Sequence, residues 1–115
     1  MLQKTLIILA LAVFFSRCSL PQIKNEAPQI NTLKVAQKFK INLPEEHKTG
    51  YMWQLSDNYN KTVLNHLNAV WHGNQKGIDF NFETLSIGQT TLTLIKRRYI
   101  DTIAKKTFIV NIQNE

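Results

Sequence analysis

The chain has one cysteine, Cys18, in 115 residues. It cannot close an internal disulfide, and neither a Cys-x-x-Cys pair nor a multi-cysteine zinc site can be built from it. Acidic residues are few, eight against 14 Lys and Arg. The three histidines (His47, His66 and His72) stand apart, without a carboxylate at metal-ligand spacing. No GxGxxG, P-loop, HExxH or GxSxG motif occurs and no segment repeats, so neither a catalytic site nor a metal or cofactor is expected. With 19% charged, 43% hydrophobic and 10% aromatic residues, the composition is too apolar for a disordered chain. The length allows one domain. A multidomain enzyme, a disulfide scaffold and a disordered tail are excluded.

Long hydrophobic runs are scarce as well. The longest, Leu6 to Phe15 (LIILALAVFF), has ten residues and follows Lys4. A helix of that length rises about 15 Å, half of a hydrocarbon core of about 30 Å. A charged start followed by a short apolar run predicts an export signal over residues 1–17. A buried N-terminal helix or strand is the alternative. The run ends in Phe15-Ser16-Arg17-Cys18-Ser19, which resembles a bacterial lipobox except that Arg17 stands where a small residue is usual. Two outcomes follow: lipidation of Cys18, anchoring the domain to a membrane, or plain cleavage near Ser19. Either places the protein outside the cytoplasm, periplasmic or at the cell surface. Removal of Lys4 and Arg17 with the signal leaves 12 basic against eight acidic residues, a net charge of +4. That modest bias gives no argument for nucleic acid.

Residues 18–31, with Pro21 and Pro28 and no sustained period, are expected to be a flexible tether. The domain is expected to span 32–115. From Leu33 to Leu43 apolar residues alternate with Lys34, Lys38, Lys40 and Asn42, the period of a strand with one wet face; Ala36-Gln37 interrupts it. A polar loop, Pro44 to Gly50, follows, and then Tyr51, Trp53 and Leu55 alternate. Residues 56–77 fit helical spacing and irregular strands equally, before the loop Gly73–Gly77. Ile78, Phe80 and Phe82 alternate. Ser86 to Gln89 supplies a turn, and Thr90–Ile95 is β-branched. Lys96 to Lys106 reads as a polar, basic connection, and Thr107–Ile112 as a last strand. At least five short strands separated by turns predict an all-β antiparallel β-sandwich, with a barrel as the alternative.

The order of these loops resembles the chagasin-type inhibitors of papain-like cysteine proteases, small immunoglobulin-like sandwiches whose three end loops form a wedge. Their first loop reads Asn-Pro-Thr-Thr-Gly-Tyr/Phe with a Trp shortly after. Here Thr49, Gly50, Tyr51 and Trp53 keep the second half, while Glu46, His47 and Lys48 replace the first. Their glycine-rich second loop corresponds to Gly73–Gly77, followed by Phe80, Phe82 and Gly88-Gln89-Thr90-Thr91. Their third loop, beginning Arg-Pro-Trp, corresponds to Arg97-Arg98-Tyr99, with the Pro lost and Tyr for Trp. The likeness runs from Leu33 to Ile112.

The resemblance implies a monomeric, reversible inhibitor whose partner is a papain-like cysteine protease. Its contact residues would be Lys48, Thr49, Gly50, Tyr51, Gly73, Gly77, Arg97, Arg98 and Tyr99, with Thr49 nearest the target's catalytic cysteine. Gly50 supplies freedom for a tight turn, and Tyr99 and Arg97 suit an interface. Tyr51 and Trp53 also read as strand residues facing a core, and Lys96-Arg97-Arg98 as a solvated basic run. His47 and His72 fall in two of the loops, as passive residues or as a pH switch. Rival readings of the same fold are a surface-anchored, non-inhibitory binding or adhesion module and a chaperone-like envelope protein.

Overall fold

The computed structural model describes residues 20–114. The expected signal segment and Cys18 lie outside the described residues. Seven strands form two sheets: β1 Ile30–Lys34, β2 Lys38–Leu43, β3 Met52–Leu55, β4 Leu64–Trp71, β5 Ile78–Thr84, β6 Gly88–Arg98 and β7 Asp101–Gln113. One sheet has the order β1-β7-β6-β3 and the other β2-β5-β4. The two pack as a sandwich, and every ladder is antiparallel except β1 with β7, which is parallel.

Alternation writes the core. Phe39, Ile41 and Leu43 of β2 face Ile78, Phe80 and Phe82 of β5, and these meet Leu92 and Leu94 of β6 and Phe108, Val110 and Ile112 of β7. Phe39 and Phe82 are cross-strand partners, and their rings stack with centroids 5.2 Å apart. Fifteen hydrophobic residues are buried in one cluster, and each such side chain contributes about 1.5–3 kcal/mol of transfer free energy. The core is continuous through both sheets, so the sheets hold the loops at their ends in fixed relation.

Four expectations are refined. The alternating stretch Leu33–Leu43 is two strands in different sheets rather than one. Ala36 adopts φ 61°, and the chain crosses there under Thr84, whose hydroxyl accepts the Gln37 N–H at 2.8 Å. The Ala36 N–H donates to the Thr84 carbonyl at 3.1 Å. The segment expected as a tether lies against the sandwich from Pro21 onward. Ile23 is buried, its N–H donates to the Lys40 carbonyl at 3.0 Å, and β1 already begins at Ile30. An apolar Ile23 beside an open strand edge explains this, since it covers otherwise unpaired groups of β2. Within 56–77, β4 is a strand. A bulge between His66 and Asn68 shifts its register, and β4 is an edge strand with few buried residues, so no clean period appears in the sequence. The basic connection Lys96–Lys106 is a continuous hairpin, β6 running to Arg98 and β7 starting at Asp101.

Candidate functional site

Strand register collects three loops at one end. Leu43 and Trp71 both pair with Ile78, so loop one (residues 44–51) and loop two (72–77) leave the same end of the β2-β5-β4 sheet. Met52 pairs with Arg97, and Arg98 with Asp101. The tip of the β6–β7 hairpin, Tyr99-Ile100, therefore ends beside the far side of loop one.

Loop one crosses from one sheet to the other and is tied at both crossings. The Glu45 carboxylate is fully buried: Oε1 accepts the Trp53 N–H at 2.7 Å, and Oε2 lies 2.8 Å from His47 Nε2. The His47 ring stacks on the Trp71 indole, centroids 3.7 Å apart and planes 12° from parallel. The Trp71 indole N–H donates to the Glu45 carbonyl at 3.0 Å, and that of Trp53 to the Pro44 carbonyl at 2.9 Å. Residues 47–49 form one 3-10 turn, closed by Gly50 N–H donating to the His47 carbonyl (3.1 Å). The Thr49 hydroxyl donates back to the Glu46 carbonyl at 2.8 Å.

Loop one also touches its neighbours. The His47 N–H donates to Asn74 Oδ1 of loop two at 3.3 Å. Gly50 has φ 78°, and a β-carbon there would lie 3.1 Å from Arg98 Cδ; the Arg98 guanidinium sits 4.7 Å from the Tyr51 ring centroid. Between loops one and two opens a cleft of about 220 Å³ lined by Pro44, Glu45, Glu46, Thr49, Asn74 and Lys96.

The family pattern described as chagasin family peptidase inhibitor I42 matches residues 32–112, most of the chain. The chain belongs to the chagasin family. Its members are protease inhibitors, not enzymes. No curated protein matches this chagasin-family chain. Its fold is shared by the cysteine protease inhibitor EhICP2 of Entamoeba histolytica, with a TM-score of 0.68 and 19% identity over 82% of this chain and 93% of that one. Amebosin, known from a solution structure, is similar with a TM-score of 0.56 and 16% identity, covering 83% of this chain and 99% of its own.

In this chagasin-family domain the expected contact residues fall into two groups. Lys48, Thr49 and Gly50 are exposed at the apex of loop one, and Tyr99 stands 93% exposed at φ 54° on the hairpin tip. Lys48 also lies 3.9 Å from Glu46, so the two charges that replace the family residues partner each other. The others have structural duties. Tyr51 is half-buried under Arg98, and Arg97 Nε donates to the Thr102 hydroxyl at 3.2 Å. Gly73 accepts the Lys76 and Gly77 N–H groups. Gly77 is buried at φ 75°, where a β-carbon would lie 2.1 Å from the Leu43 carbonyl oxygen.

Several residues of the site escape the sequence. Glu45, Trp71 and Asn74 shape loop one, and Ile100 stands 89% exposed beside Tyr99. A Trp placed just before a glycine loop was the available signal for Trp71. The histidines are not isolated from carboxylates: His47 meets Glu45, and His72 Nε2 is 2.9 Å from Asp79 Oδ2. Asp79 is further held by Asn42 at 2.7 Å and Lys40 at 3.7 Å. These are pairs. No group of three metal-ligating side chains occurs among the described residues.

Proposed function

We propose that this domain reversibly blocks papain-like cysteine proteases by seating loop one, loop two and the β6–β7 tip in the target's active-site cleft. The observation that carries the reading is the convergence of the three loops: loop one is bonded to loop two through the His47 N–H, and Gly50 at its apex lies against Arg98 at the base of the β6–β7 tip. EhICP2, which shares the fold, is itself a cysteine protease inhibitor. A tight turn with a left-handed Gly50 brings backbone close to catalytic groups without offering an extended peptide to cut. The Tyr99-Ile100 tip supplies exposed aromatic and apolar surface, the chemistry of interface anchors. Export and a lipid anchor at Cys18 belong to the same proposal: the inhibitor would meet its protease at or beyond a membrane surface.

The test is titration of papain and cathepsin-like proteases with residues 20–115, which include the docked Ile23. Gly50→Glu and Arg97→Ala/Tyr99→Ala serve as variants. Tight, reversible inhibition weakened by both is expected. A folded domain that leaves these enzymes untouched at micromolar concentration would overturn the reading and favour a non-inhibitory binding module. Mass spectrometry of membrane-extracted protein tests the anchor, and an unmodified residue 18 would end it.

A further inference from the structure

Loop one must keep its shape while a protease presses on it, yet from Glu45 to Tyr51 it contains no proline and only one turn of 3-10 helix. Local sequence therefore does not make it rigid. Tertiary contacts do. Trp71 reaches Glu45 and His47 from the end of β4, 26 and 24 positions along the chain, and brackets the loop from outside. The buried Glu45 carboxylate holds it from inside. We propose that Glu45, His47 and Trp71 form a clamp of positioning residues that fixes loop one in its binding shape and keeps its peptide bonds from being cut. Each member restrains a different part: the Glu45 carbonyl through the indole N–H, the His47 ring through the indole face, and both to β3 through the carboxylate.

The inhibitory consequence rests on the function proposed above; the clamp itself does not. A loop ordered before binding loses less conformational freedom on association. A loop held at both ends also cannot relax into the extended form that a protease cleaves. Trp71 is 39% exposed on an edge strand, so its replacement leaves the sandwich core intact.

The test compares the intact chain with Trp71→Leu, which removes both stacking and the N–H donor, and Trp71→Phe, which keeps an aromatic face without the donor. Backbone ¹⁵N relaxation of the free proteins reports order at residues 46–50, with residues 99–100 as an internal reference. Incubation with papain followed by mass spectrometry reports cleavage within loop one. Trp71→Leu is expected to disorder residues 46–50 alone, to open a cleavage site there and to weaken inhibition at least thirtyfold, with Trp71→Phe intermediate. Unchanged order and no new cleavage in Trp71→Leu would overturn the clamp. If the unmodified protein does not inhibit papain, the relaxation data still decide: selective loss of order upholds the clamp and leaves only the inhibitory reading refuted.

Discussion

In loop one, the Glu45, His47 and Thr49 side chains are all engaged in polar contacts; eight residues are held by two tryptophans from different sheets. At the β6–β7 tip, Tyr99 and Ile100 stand almost fully in solvent, carried by the β6–β7 ladder. The two lie side by side at one end of the sandwich. One is tied by hydrogen bonds and ring stacking and the other presents exposed aromatic and apolar surface. In the proposed binding mode the tied loop would give a fixed profile, and the exposed tip would give apolar contact area.

The contrast breaks hardest at Gly77. Gly77→Ala places a β-carbon against the Leu43 carbonyl at a positive φ. It should lower stability by about 3–4 kcal/mol and loosen loops one and two together, read by thermal denaturation. Next is Glu45→Ala, which leaves the buried Trp53 N–H without an acceptor. A loss of about 2–3 kcal/mol is expected in urea denaturation. The opposite side answers differently. Tyr99→Ala/Ile100→Ser should change stability by less than about 0.5 kcal/mol, yet weaken protease inhibition at least tenfold, about 1.4 kcal/mol. A large stability loss there would show that the tip is structural after all. The smallest effect belongs to Lys48→Ala, whose partner Glu46 is exposed. A change under about 0.5 kcal/mol is expected in the same denaturation experiment.

Much of the frame was readable in advance. Phe39-Ile41-Leu43, Ile78-Phe80-Phe82 and Phe108-Val110-Ile112 announce inward faces because a strand's side chains alternate and one face must be apolar. Strand β4 was not readable: it is an exposed edge, and its bulge at His66–Asn68 breaks the period by one residue. The turn at Ala36 was visible only as an interruption, since the switch between sheets depends on Thr84, 48 positions later. Motif order marked Thr49-Gly50-Tyr51 and Arg97–Tyr99 as loop segments, and the fold brings both to the same end of the sandwich. Nothing local marks Glu45 as buried, because an acidic residue in a polar loop ordinarily faces water.

The sequence by itself determined two apolar sheet faces, the polar loops between strands, and the order of loops that places the chain in its family. Those features depend on neighbours one to a few residues apart, which periodicity and turn chemistry report. Only the tertiary structure decided that Ile23 docks on β2, that Gly77 abuts Leu43, and that Glu45, His47 and Trp71 close around one another. Each joins residues from separate elements. The hydrogen bonds that offset burial of the Glu45 side chain, and the stacking of the His47 ring, exist only once the two sheets have brought their partners within reach.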